Sequence, residues 1–254
     1  RRPPSPPRPK RSRKRARFRK IYSVSQPLYT SPVNVNELAG ARRLSVAALA
    51  PRSRAGRVTA FYAALTAAAV LWGALRGHPN VLLFESEPSL AASLHASHRA
   101  AQLVSSAAIG VAMGLLLVVL TRILHARYDW ARVLHSEFND VLGVLSDREI
   151  LLLAAASAIG EEFLFRGALL LHLKALLPGV AGLLLAIFGS SAIFALLHIG
   201  PGARFLPWTL SSFIVGVLLA AVYVALGDLI APIAIHFTVN ALNLKDIVRR
   251  QLPA

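Results

Sequence analysis

ILLLAAASAIGEEFLFRGALLLHL, residues 150–173, is an apolar run with three formal charges at its centre, Glu161, Glu162 and Arg166. A charge at the middle of a membrane helix costs roughly 2.5–3.5 kcal/mol on the insertion scale. Ionisable residues at that depth face a bundle interior or a wet cavity, and they mark functional sites. Glu162 and Arg166 are four residues apart, so a helix places them on one face, where they can pair. Glu161 points about 100° around the same helix and has no local partner. It needs a proton, a histidine or a metal from elsewhere in the chain.

Working outward, the composition is that of a membrane protein. The 254 residues are 55% hydrophobic, the mean hydropathy is +0.55, and the apolar residues come in long blocks. The net charge of +16 is unevenly placed. Residues 1–57 carry 16 Lys and Arg and one acid, Glu37, a net of +15, which leaves +1 for residues 58–254. The high pI of about 11.5 therefore describes a tail, and no specific nucleic-acid binding is expected. Residues 1–57 are read as a disordered, Pro- and Arg-rich cytoplasmic tail held near anionic lipid. No signal peptide is expected before the first apolar run, and Arg1 suggests a start upstream. The chain has no cysteine, which excludes disulfides and thiolate metal sites.

Six apolar runs follow, at about 58–75, 101–121, 149–173, 180–198, 205–226 and 228–244. The longer ones match the roughly 20 residues that cross hydrocarbon. The last is short and contains Pro232, which predicts a kinked or partial span. The expected fold is all-α: a polytopic bundle of about six transmembrane helices over residues 58–250, with the active site inside it. The basic tail puts the N-terminus in the cytoplasm by the positive-inside rule, and an even count returns the C-terminus there. Residues 131–147 read as an amphipathic surface helix. The Ala-, Leu- and Arg-rich composition points to a bacterial cell membrane.

Three polar clusters lie in three different apolar runs. The first is Glu161, Glu162 and Arg166. The second is FALLH, with Phe194 and His198 on one helix face, and the third is HFTVN, with His236 and Asn240 four residues apart. Packed together they supply two carboxylates, two imidazoles and an amide. That set suits peptide-bond hydrolysis: a buried carboxylate as general base on a water, and donors for the developing oxyanion. Alternatively, Glu161, His198 and His236 form the ligand set of a catalytic zinc with an open fourth position. Arg166 reads as a clamp on Glu162 rather than a proton carrier.

EEFLFR (161–166), FALLH (194–198) and HFTVN (236–240) resemble the EExxxR, FxxxH and HxxxN motifs of the CAAX protease and bacteriocin-processing family of intramembrane endopeptidases, which includes the type II CAAX prenyl endopeptidases. The resemblance covers roughly residues 100–250, with the motif-bearing core at about 149–244. It implies a membrane-associated protein or peptide as substrate. It also implies Glu161 as the water-activating base with His198, Glu162 and Arg166 as support, and His236 with Asn240 as the oxyanion hole. Members are described both as metalloproteases and as metal-free glutamate proteases. Some process prenylated proteins, and others serve bacteriocin immunity or maturation.

Two other classes fit parts of the pattern. A non-catalytic membrane scaffold, in immunity or signalling, would have little use for both Glu161 and the His236–Asn240 pair. A proton-coupled transporter would use buried carboxylates and histidines, but no internal repeat is visible. His172 reads as an interface residue beside Lys174, Trp72 and Trp208 as interface anchors, and Asp228 as a helix N-cap. The segment 201–208, PGARFLPW, is a candidate loop for substrate access. His78, His95 and His98 lack an acid-rich ligand pattern beyond Glu85 and Glu87.

Overall fold

A computed structural model describes residues 56–77 and 96–249. The tail expected at 1–57 lies outside the described residues except for Gly56 and Arg57, and so do His78, Glu85, Glu87 and His95. The described chain is helical: α1 (Gly56–Leu75), α2 (Ala96–Arg127), α3 (Asp129–Leu142) and α4 (Asp147–Glu162) come first. A π-helical segment (Phe163–Leu170) and α5 (Leu171–Lys174) continue α4 without a break. After them come α6 (Gly179–Leu196), a 3-10 turn (Ala203–Phe205), α7 (Leu206–Leu226) and α8 (Ile230–Arg249).

The all-α membrane bundle is borne out, and four of its helices are long and apolar enough to cross a bilayer: α1, α2 from Ala100, α6, and α7 with its preceding turn. The other two expected crossings coincide with the run 147–174, which carries the charge cluster, and with α8, whose second half holds Asn240, Asn243, Lys245, Asp246 and Arg249. Contacts between α2 and α8 advance together, from Ser106 with Asp228 to Arg122 with Asp246, so these two are parallel. Contacts between the run 147–174 and α8 go the opposite way, from Arg249 with Asp147 to His236 with Glu162.

Local chemistry sets the boundaries. Ser146 caps α4 through the Glu149 amide, and Glu149 returns a bond to the Ser146 amide, a capping box. Gly227 ends α7 at φ 76°, a left-handed conformation that suits glycine. Asp228 is an N-cap as read, accepting from the Ile230 amide, and its other oxygen accepts from the Ser106 hydroxyl at 2.7 Å. The run with Pro232 is not among the helices long and apolar enough to cross a bilayer, which agrees with a partial span. Pro232 stands in the first turn of α8, where a missing N–H leaves no helical bond unmade. The amphipathic segment is α3, shorter than expected at Asp129–Leu142, and Phe138 packs edge-on against Phe205 and Trp208.

Glycine at 110 and 114 lets α2 and α8 meet. A Cβ at Gly110 would stand 2.5 Å from the Ala231 carbonyl oxygen, and one at Gly114 would stand 2.7 Å from Thr238 Cβ. Small residues four apart are a membrane helix's device for backbone contact. This approach seats the start of α8, and with it His236, against the bundle. Gly110→Ala should destabilise the protein by about 1–3 kcal/mol, the usual cost of overpacking. Gly56→Ala, which meets open space, serves as the neutral control. Thermal unfolding in detergent should separate the two, and equal midpoints would refute the argument.

Candidate active site

Glu162 and Arg166 are charges buried almost completely, at 0% and 1% exposure. Arg166 Nη1 donates to Glu162 Oε1 at 2.8 Å, as their spacing predicts, and Nη2 donates to the Gly216 carbonyl of α7 at 3.1 Å. The guanidinium lies over the Phe194 ring, 4.7 Å from its centroid, and Phe165 meets that ring edge-on. A buried cation held by a carboxylate, a carbonyl and a π face has replaced most of its water. The π-helical turn holding Arg166 had no sequence signal. Such wide turns are rare and collect at functional sites.

Glu162 Oε1 also accepts from His236 Nδ1 at 2.8 Å. Because that carboxylate is paired with Arg166, it acts as acceptor and the proton sits on Nδ1. His198 is fixed in the same way from a different element. Just past the end of α6, its Nδ1 lies 2.7 Å from the Phe194 carbonyl, which can only accept. In the neutral rings, both Nε2 atoms therefore carry lone pairs. Both face Glu161: His198 Nε2 is 3.8 Å and His236 Nε2 is 3.7 Å from Glu161 Oε2. These gaps exceed hydrogen-bond length, and the buried Oε2 has no hydrogen-bond partner. Three acceptors facing one another in an apolar bundle call for hydrogens or a cation between them.

The structure thus brings together Glu161, Glu162, Arg166, Phe194, His198 and His236. Phe194 is central, with its ring 4.2 Å from that of His198 and 6.3 Å from that of His236. Asn240 stands one turn along α8 from His236 and donates through Nδ2 to the Ser157 hydroxyl of α4 at 3.0 Å. Trp208 packs edge-on against His198 with centroids 5.1 Å apart. The segment 201–208 folds back so that Phe205 is buried, and Thr209 donates to the His198 carbonyl. His172 packs near Trp72 of α1.

Sequence reasoning missed four contributors: Ser157, the Gly216 carbonyl, Trp208 and Tyr62. Tyr62, on α1, donates its hydroxyl to Glu161 Oε1 at 2.8 Å. Its signal was available, since a tyrosine hydroxyl in an apolar run must find a partner.

With this geometry the fold and site define a class: a membrane-embedded helix bundle with a carboxylate–imidazole centre in its interior. Residues 148–242 match the family described as Type II CAAX prenyl endopeptidase Rce1-like. That stretch is a domain of the CAAX protease family, which bears out the resemblance of its three motifs and makes it a peptidase-type domain. Neither the curated proteins nor the solved structures gave a match.

Removing one charge of the buried pair should cost more than removing both. Arg166→Met leaves Glu162 buried without its cation, and about 3–5 kcal/mol of stability should be lost. Arg166→Met combined with Glu162→Gln should recover part of that loss in thermal unfolding. A double variant less stable than the single one would show that the ion pair does not govern packing here.

Proposed function

We propose that the protein is an intramembrane endopeptidase that hydrolyses a peptide bond of a membrane-associated protein or peptide, with Glu161 as general base. One observation carries this reading: Glu161 Oε2 is buried, lacks a hydrogen-bond partner, and faces two oriented imidazoles. A water between them can donate one hydrogen to Glu161 Oε2 and the other to His198 Nε2. As the water oxygen bonds to the substrate carbonyl carbon, its proton passes to Glu161 and the carbonyl oxygen becomes an oxyanion. His236, when it carries protons on both nitrogens, donates from Nε2 to that oxyanion while Nδ1 stays on Glu162. Asn240 adds a donor, because its amide has two hydrogens and Ser157 takes one. Glu161 then returns the proton to the leaving amine as the carbon–nitrogen bond breaks.

The donor types of Glu161, His198 and His236 are those of a catalytic zinc, which when bound would polarise the water and the substrate carbonyl. Their spacing fits an ion less well. Among the described residues no three His, Asp or Glu side chains form a group that could hold one. The reaction is therefore written with protein groups alone. By the positive-inside rule we place the N-terminus in the cytoplasm, which puts the His198 end of α6 on the cytoplasmic side.

The test is cleavage of a fluorogenic peptide library by the full chain in detergent, with zinc content measured on the same samples. Glu161→Gln, His198→Ala and His236→Ala should each lower cleavage by at least about 100-fold, as expected for a removed catalytic base or partner. Thermal midpoints should show that Glu161→Gln remains folded. Cleavage retained by a folded Glu161→Gln protein would refute the assignment. One zinc per chain, lost in the three variants, would assign the same residues to an ion instead.

A further inference from the structure

Helix α1 lies outside the stretch that matches the protease family, yet it reaches the reacting centre. Its less exposed stripe carries Tyr62, Leu65, Thr66, Ala69, Trp72 and Gly73. The rest of its surface is largely apolar and exposed, including Phe61, Leu71 and Leu75. Within this stripe the Tyr62 hydroxyl donates to Glu161 Oε1 at 2.8 Å, an ordinary O–H···O hydrogen-bond length.

The approach is permitted from the α4 side by Gly160, the residue before Glu161. A Cβ there would stand 3.0 Å from the Tyr62 carbonyl oxygen and 3.1 Å from its ring. On α1, the Thr66 hydroxyl donates to that same Tyr62 carbonyl at 2.9 Å. Backbone of α1 and backbone of α4 therefore meet at the level of the carboxylate.

We infer that Tyr62 is a positioning residue for the reaction: it ties down Oε1 of Glu161 and so presents Oε2 to the two imidazoles. The inference rests on the reading of Glu161 as the base. A carboxylate on a two-torsion stem, in an apolar surrounding, can rotate to exchange its oxygens. Only Oε1 has a side-chain donor, and that donor comes from α1. Without it, neither oxygen would be held and the gap to His198 and His236 would lose its fixed shape. A displacement on the ångström scale at a reacting group is enough to cost orders of magnitude in rate. The site of this chain is thus completed by a helix that precedes the peptidase domain, and α1 cannot be removed without disabling it.

The experiment uses the full chain and the library peptide that the unaltered protein cleaves fastest. Tyr62→Phe keeps the ring and removes the hydroxyl. It should lower kcat by about 10- to 100-fold, the worth of one hydrogen bond to a charged group. KM should stay where it is, because substrate contacts are retained, and the thermal midpoint should fall only by the few degrees that one lost interhelical hydrogen bond costs. Gly160→Ala should also lower kcat, by pushing α1 off the carboxylate. The double variant should be no slower than Tyr62→Phe alone, since both changes break one bond. A kcat for Tyr62→Phe within about twofold of the unaltered protein would overturn the inference. So would a loss that appears in KM rather than in kcat, or one explained by unfolding at the assay temperature. Glu161→Gln separates the two levels of the argument. If it still cleaves, the base assignment has failed; if it is inactive while Tyr62→Phe is normal, only the role of Tyr62 has failed.

Discussion

Burial of the Glu162–Arg166 pair is the constraint on which the rest of the site depends. Each charge alone would be intolerable at its depth, and the pair is tolerable only with further polar support. Arg166 finds that support in the Gly216 carbonyl and the Phe194 ring. Glu162 uses the same oxygen for Arg166 and for His236 Nδ1. One ion pair therefore fixes a tautomer. It holds the His236 ring so that Nε2 points at Glu161, much as an outer carboxylate orients a histidine in metal sites. Two adjacent glutamates acquire different roles in this way. Glu162 binds Arg166 and His236 through one oxygen, whereas Glu161 turns its Oε2 toward both imidazole Nε2 atoms.

The second histidine is fixed without any charge. The end of α6 leaves backbone carbonyls without helical partners, and His198 Nδ1 takes that of Phe194. The aromatic ring of Phe194 then packs against His198 on one side and under Arg166 on the other. A single residue thus couples the ion pair to the second imidazole through its ring and its carbonyl. Trp208 closes the outer edge of His198, and Phe138 of α3 packs against Trp208 in turn. The surface helix is linked to the site by a short aromatic chain.

Close approach of backbones makes these short polar contacts reachable. Gly110 and Gly114 seat α8 against α2, Gly160 seats α1 against α4, and Gly216 faces Ser191 of α6 while its carbonyl meets Arg166. In a bilayer no hydrophobic force favours helix contact over lipid contact, so close packing and interhelical hydrogen bonds must supply the association. The polar centre is consequently part of what holds the bundle together.

The sequence by itself determined the all-α membrane class, the uneven charge, and the residues of the polar centre. These are legible because a charge in an apolar run is costly enough to signal its purpose, and because four-residue spacing fixes which side chains share a helix face. Glu162 with Arg166 and Phe194 with His198 follow from that spacing alone. Tertiary structure decided what spacing cannot reach. It decided which glutamate faces the two imidazoles, set the His236 tautomer through Glu162 of another helix, and turned Asn240 toward Ser157. It also recruited Tyr62, nearly a hundred residues before Glu161, and packed Trp208 against His198. The physical reason is that a periodic pattern fixes the direction of a side chain around its own helix. Which atoms meet it there depends on how closely the neighbouring backbones approach.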